Sequence, residues 1–378
     1  MSNPLHIAID ARWIFRELSG IGLYTQELIA ALTRIPSPHH FTVLFNHDDI
    51  MARVAAETGF TMRTSFTAHL VKGGPFSPLD QLRLPLALNR WRVDVFHAPN
   101  YMMPLLPCPG TRRVVTIHDL IPLLFRDYAP RSKKNRFFPV FKAIMNRSVR
   151  AADRVIAVSE STRRDLQSYF HLDAASAARI RVIAEGVRTR CTPAPRTPRP
   201  HVQFLYVGRR DPYKNLPLLV ASFAALRQRG LAVALRVVGS DDPRYPEARQ
   251  LARELGVDEA IAWSGYVNDA ELLAAYQQAD VFVLPSNYEG FGLPVLEAMA
   301  CGTPVICSNT SSLPEVAGDA ALMIDPRQPH TLTDAMNRLA TEPALRRQLA
   351  EKGLARAALF SWDATARQTL ALYEELAR

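Results

Sequence analysis

Two glutamates, Glu289 and Glu297, stand eight positions apart in YEGFGLPVLEAMACGTPVI, Tyr288 to Ile306. Gly290, Phe291, Gly292 and Leu293 lie between them as a glycine-bounded turn. Pro294 suits the first turn of a helix, where a missing N–H costs nothing, and Gly302 suits the position just past its end. The apolar run Asp280 to Pro285, DVFVLP, reads as a buried parallel strand leading into the turn. Strand, glycine turn and helix together aim backbone N–H groups at an anion. With a carboxylate on either side, the anion predicted is a phosphate bearing polar groups at both ends, as in a nucleotide sugar.

A second set lies in YVGRRDPYKNLPLL, Tyr206 to Leu219. The spacing ends a strand at Gly208 and leaves Arg209 and Lys214 on the loop before a helix. Two cations fixed at a strand's carboxyl end can neutralise a diphosphate and stabilise the charge that develops as it leaves. Arg210 reads as a solvated neighbour. In DARWIFRELSGIGLYTQEL, Asp10 to Leu28, Gly20 and Gly22 fall between the first strand and a helix beginning near Leu23. The dinucleotide fingerprint is not met there, because Thr25 occupies the third glycine position. His118 and Asp119 follow the strand Arg113–Ile117, with Asp119 expected to cap or support the loop. Asp241 and Asp242 are adjacent in GSDDPRY and read as turn residues rather than a metal site.

Strands at the start of these motifs must position them. In the first half they are expected at His6–Asp10, Phe41–Phe45, Val93–His97, Arg113–Ile117, Arg154–Val158 and Arg179–Ile183, with helices over Leu23–Arg34 and Phe137–Arg150. Arg188 to His201, RTRCTPAPRTPRPH, carries four prolines and reads as an extended linker. After it, strands at Phe204–Val207, Ala234–Val238, Ala260–Ser264, Val281–Leu284 and Pro304–Cys307 alternate with helices at Leu216–Gln228, Pro246–Leu255, Asp269–Gln278 and Leu293–Ala300. Such alternation predicts an α/β protein of two doubly wound parallel sheets, with ligands beyond the carboxyl ends of strands and a site in the cleft between domains.

With 378 residues, nearly half of them apolar, the chain suits two well-packed domains. No apolar run is long enough for a membrane span, and MSNPLHIAIDAR enters a strand pattern directly, so a cytoplasmic location without a signal peptide is expected. Cys108, Cys191, Cys301 and Cys307 form no C-x-x-C pair and read as buried thiols. Charge is uneven. Residues 1–190 hold 26 Lys/Arg against 15 Asp/Glu, a balance of +11, and the remainder holds 19 against 21. From Arg126 to Arg154, nine Lys/Arg interleave with Phe137, Phe138, Phe141, Ile144 and Met145, which suits either an anionic membrane surface or a plain amphipathic helix. No nucleic-acid motif accompanies the charge, and no nucleic-acid partner is expected.

Taken together, these motifs resemble retaining nucleotide-sugar glycosyltransferases of the GT-B fold, family four (group 1), over almost the whole length and most closely from Tyr206 to Asp325. The resemblance implies an acceptor-binding domain over 1–190, a linker over 191–201, a Rossmann-like donor domain over 202–360, and a C-terminal helix, 361–378, returning to the first domain. It implies that Glu289 lies against the donor sugar, Glu297 binds the ribose, and the N–H groups of Phe291, Gly292 and Leu293 meet sugar and diphosphate. Arg209 and Lys214 then act in place of a metal, His118 touches the donor sugar, and the Gly20–Gly22 loop approaches the phosphates. Ser19 departs from relatives that carry a further glycine there. Front-face departure and attack would make catalysis a matter of positioning and charge stabilisation, not of a two-carboxylate pair. The donor implied is GDP-mannose, with no separate cofactor, and the acceptor a lipid-linked or polysaccharide sugar, at or near the inner membrane face. A UDP-sugar epimerase and a silent binding subunit of the same architecture are the rivals.

Overall fold

The computed structural model of the protein describes residues 4–125 and 137–377. The chain divides into two compact units, the first Met1–Leu120 with Phe137–Gly186 and Ser361–Arg378, the second Ile121–Arg136 with Val187–Phe360.

The first unit is built on a seven-stranded sheet of β1 (His6–Asp10), β2 (His40–Phe45), β3 (Phe66–Leu70), β4 (Val95–Ala98), β5 (Arg112–Ile117), β6 (Arg154–Ala157) and β7 (Ile180–Val182), in the order β3-β2-β1-β4-β5-β6-β7. Every pairing is parallel, and Ile7 of β1 faces Phe41 on one side and Val95 on the other. The central strands are buried nearly throughout, as sheets covered on both faces must be. Edge strand β3 escapes sequence detection because Phe66 alone of FTAHL is buried, which removes the continuous apolar run.

The core of this unit joins Ile7, Ile9, Tyr24, Leu28, Phe41 and Phe45 to Trp362, Leu370, Leu372 and Tyr373 of the C-terminal helix Trp362–Leu376. That helix completes a layer the first 186 residues leave open. It can enter only because residue 186 is glycine: a Cβ there would lie 2.1 Å from the Trp362 nitrogen. Helix Phe138–Ala151 buries Phe141, Met145 and Val149 and leaves Val140 exposed. The Arg126–Arg136 part of the basic stretch lies outside the described residues.

The second unit carries β8 (Val202–Val207), β9 (Val233–Val238), β10 (Ile261–Ser264), β11 (Val281–Leu284), β12 (Val305–Ser308) and β13 (Ala321–Ile324) in the order β10-β9-β8-β11-β12-β13, again all parallel. Its strand order reverses between β8 and β11, which is where open α/β sheets leave a crevice. β13 is the second strand absent from the sequence reading, being an edge strand with Met323 exposed.

The Pro-rich stretch is extended, and it is also fastened along its length. It has no helix or strand from 191 to 200, yet it is strapped to the second unit. Gln277 and Gln278 donate to the Thr192 and Pro195 carbonyls at 2.8 and 2.9 Å, and Arg196 donates to the Gly302 carbonyl at 2.7 Å. Proline removes N–H donors but leaves its carbonyl, so an extended Pro-rich chain fastens by accepting side-chain bonds and by donating from side chains such as Arg196.

Candidate active site

At the reversal point of the second sheet, β8 ends at Val207 and the loop continues through Gly208 and Arg209 into a single 3₁₀ turn, Pro212–Lys214. Asn215 then adopts a left-handed conformation, φ 55°, and helix Leu216–Gln228 begins. From the neighbouring strand β11 the chain passes Ser286 and Asn287, whose N–H donates to the Tyr213 carbonyl at 2.7 Å, and reaches Glu289. The two loops are thereby tied together. Lys214 Nζ meets Glu289 Oε1 at 2.7 Å and Oε2 at 2.8 Å, and Ser286 Oγ donates to Oε1 at 2.6 Å. Both side chains are nearly buried. Burial by itself would lower the Lys214 pKa, but the Glu289 charge outweighs it and the ammonium is held above its ordinary value.

Gly292 stands at φ 115° immediately before helix Leu293–Ala300, with Pro294 in its first turn. N–H groups of a first turn have no acceptor within their own helix. Phe291 is buried with its ring edge-on to Phe360, and Gly290 and Leu293 are half-buried. A brace that sequence reasoning missed holds this turn from behind. Ser311 Oγ accepts the Glu289 N–H at 2.8 Å, and Ser312 Oγ donates to the carbonyls of Glu289 and Phe291 at 2.9 and 2.7 Å. Ser311 takes a left-handed φ of 51° to do so. The run Thr310-Ser311-Ser312 beyond β12 was the available signal, since short hydroxyl side chains bind nearby backbone.

The two cations following β8 have different fates. Arg209 is 69 % exposed and held by Asp211, its Nε 2.7 Å from Oδ2. Arg210, expected to be solvated, is buried; it pairs with Asp241 and lies over the Trp263 ring at 5.1 Å. Asp241 is therefore an ion-pair partner as well as a turn residue, while Asp242 caps its own turn at the Arg244 N–H.

Glu297 lies on the buried side of its helix, with Arg188 NH2 2.7 Å from its Oε1. Both side chains are almost fully buried, and Arg188 also reaches Asp269 at 3.1 Å. The ribose carboxylate implied by the resemblance is thus already oriented by an arginine from the segment read as linker, an interaction that sequence spacing could not show.

In the first unit, Gly20 and Gly22 are not in a loop before the helix. They form its first turn, because Ser19 caps helix Gly20–Arg34 through a 3.2 Å bond from the Gly22 N–H. Serine, a better cap than glycine, starts the helix three residues earlier than the apolar pattern alone indicates. Gly20 is open, with no atom within 4 Å of where a Cβ would stand.

His118 follows the buried end of β5. Its Nδ1 is 2.9 Å from Glu185 Oε1 and its Nε2 is 2.9 Å from the Pro99 carbonyl. While Glu185 is ionised both partners are acceptors, so the doubly protonated ring is the form that satisfies both contacts. Burial opposes this charge; the Glu185 carboxylate and the Pro99 carbonyl outweigh it and raise the His118 pKa. His97 behaves in the opposite way: sealed between Tyr373 OH at 2.6 Å and Thr116 Oγ1 at 2.7 Å, it is pushed down to about 3, chiefly by burial. At the end of β1, Arg12 is enclosed by Asp10 and by Asp80, which opens helix Asp80–Arg90. Among the described residues no group of three or more His, Cys, Asp or Glu could hold a metal ion, and no helix is long and apolar enough to cross a membrane.

Two parallel-sheet α/β units, one bearing a lysine–glutamate pair against a glycine turn and helix N-terminus, define a GT-B glycosyltransferase. The comparisons agree. Residues 193–356 match the model of the glycosyl transferases group 1, and residues 18–190 that of glycosyltransferase family 4. The O-antigen chain mannosyltransferase B of Escherichia coli is 31 % identical over 304 residues, 77 % of this chain and 76 % of that protein. A D-inositol 3-phosphate glycosyltransferase of Actinosynnema mirum is 34 % identical over 344 residues, 80 % of this chain and 81 % of that one. The crystal structure of Anabaena HepE in complex with UDP-glucose matches with a TM-score of 0.74 at 17 % identity, covering 97 % of this chain and 99 % of that one. The chain belongs to glycosyltransferase family four.

Proposed function

We propose that the protein is a retaining, metal-independent hexosyltransferase that moves mannose from GDP-mannose to a lipid-linked or polysaccharide acceptor in surface glycan synthesis. The observation that carries the reading is the Lys214–Glu289 pair at the reversal point of the second sheet. There Lys214, fixed on Glu289, stands by the turn that opens helix Leu293–Ala300, and the exposed second cation Arg209 lies on the loop after β8. Those are the groups a departing diphosphate needs. Glu289 receives the donor sugar, Glu297 receives the ribose while Arg188 fixes its carboxylate, and His118 offers a fixed positive ring to the sugar end. Mannose is supported by the similarity to a mannosyltransferase; guanine is this reading's own choice.

A thermal-shift panel of GDP, UDP and ADP tests the donor. A nucleotide at about a hundred times its Kd adds about 2.7 kcal/mol of stability, so the right base should stand well apart. A larger shift with UDP would replace the base and keep the reaction class. Proton NMR of the glycosylated product tests retention. Nucleotide sugar epimerised without acceptor would sink the transferase reading, and failure of every nucleotide to bind would leave a silent subunit.

A further inference from the structure

One face of the first unit is not explained by the transfer reaction. Helix Asp80–Arg90, DQLRLPLALNR, buries Asp80, Leu84, Pro85 and Leu88. Leu82 and Leu86 point outward at 58 % and 70 % exposure, and Leu79 and Phe76, just before the helix, are exposed to a similar degree. Leu79, Leu82 and Leu86 follow at intervals of three and four, so they form one stripe. Three leucines grouped on one open helix face, with the exposed Phe76 ring edge-on to Trp13 just before the helix, mark an interaction site, where single scattered ones would not. Arg83 and Arg90 are exposed beside the stripe. The helix's single acid, Asp80, is buried against Arg12, so the outward face carries positive charge only.

We propose that this face, with Leu79, Leu82, Leu86 and Phe76 entering the acyl boundary and Arg83 and Arg90 meeting headgroups, seats the first unit on an anionic lipid bilayer. Apolar stripe and uniformly basic flank are the two terms of interfacial helix binding, and the arginine stems can lie along the apolar layer while their heads stay wet. A second copy of the chain would bring Arg83 and Arg90 against like charge, which disfavours self-association. The helix is also rigidly joined to the ligand end of its sheet. Arg12 links Asp80 to Asp10, the last residue of β1, and Gln81 Oε1 accepts the Leu105 N–H at 2.8 Å from the segment after β4. A bilayer on this face therefore has a fixed orientation to the carboxyl edge of the first sheet. The inference deepens the proposed lipid-linked acceptor and takes its purpose from that reading, while its detection needs no acceptor.

The test is flotation of the full chain with vesicles of phosphatidylcholine, alone or mixed with phosphatidylglycerol, alongside GDP and UDP affinity. The wild type is expected to float with the mixed vesicles and to be released by high salt. Leu82→Ser with Leu86→Ser should weaken partition at least about tenfold, and Arg83→Ala about fivefold on the anionic vesicles alone, all with unchanged nucleotide affinity. Wild-type protein that ignores both vesicles, or double-serine protein that floats like wild type, would overturn the proposal. So would loss of flotation with Phe137→Ser and Val140→Ser instead, which would move the contact to the helix Phe138–Ala151, or a dimer broken by the serine pair without vesicle binding. Normal flotation with no nucleotide affinity would remove the transferase reading and leave this surface standing.

Discussion

Lys214 and Glu289 are worth more as a pair than either is singly. Removing one partner of a buried ion pair leaves the other charge unsolvated, so Lys214→Ala should lower stability by about 3 kcal/mol as well as act on turnover. The double variant Lys214→Met, Glu289→Gln should regain much of that stability. If Lys214 stabilises the leaving phosphate, Lys214→Ala loses about 10²–10³ in kcat with a far smaller change in donor affinity. Wild-type turnover in the refolded double variant would take Lys214 out of the mechanism. His118 supplies a second test at this scale. Its raised pKa means that its contribution to stability is complete below the unfolded value of about 6.5 and disappears as pH climbs through the folded one. In Glu185→Gln the amide oxygen still accepts from Nδ1 but the countercharge is gone. Nitrogen NMR of the ring should then show its titration moved to lower pH, because burial still opposes the charge, where the native ring keeps both protons to higher pH. An unchanged titration would mean that Glu185 does not hold the proton.

At the scale of elements, short contacts decide which residue types are tolerated. Gly186 has no unusual backbone demand in its favour; it is required because Trp362 and Ser361 backbone atoms occupy the space of a side chain. Gly186→Ala should cost about 3 kcal/mol, the upper end for overpacking, since backbone cannot yield as a side chain does. Thermal unfolding near the wild-type midpoint would show that the C-terminal helix can shift without loss. Sequence periodicity located the central strands and the helices it named within about three residues, because strands buried on both faces leave continuous apolar runs. It missed β3 and β13 for the converse reason, as edge strands need bury only part of their surface. Nor did it place helices Asp48–Thr58, Asp80–Arg90, Glu160–Tyr169, Pro329–Thr341 and Pro343–Ala357. The start of helix Gly20–Arg34 was displaced because its first turn is written in capping chemistry, Ser19 to the Gly22 N–H, and not in apolar spacing.

For the whole molecule, the decisive fact is that the chain leaves the first unit at Gly186 and returns to it at Ser361. Burying Trp362, Leu370, Leu372 and Tyr373 contributes about 6–12 kcal/mol at the usual value per large apolar side chain, comparable to the full stability of a domain. Removal of residues 361–378 should therefore unfold the first unit and spare the second. Limited proteolysis would show rapid loss of peptides from 4–186 while those from 202–356 persist. Equal resistance of the two sets would mean that the helix is an accessory.

Taken by itself, the sequence determined the two parallel sheets, the strand–turn–helix around Glu289 and the nearby cations, because these rest on local periodicity, glycine and proline placement, and short spacings. Only the tertiary structure decided how those groups are spent. It paired Lys214 with Glu289 across 75 positions, gave Glu297 to Arg188 from the presumed linker, and separated exposed Arg209 from buried Arg210 although the two are adjacent. It also closed both nitrogens of His118 and recruited Ser311 and Ser312 as a brace. Each of these depends on burial and on partners distant in the chain, and the energy of a charge is set by its surroundings more than by its own identity.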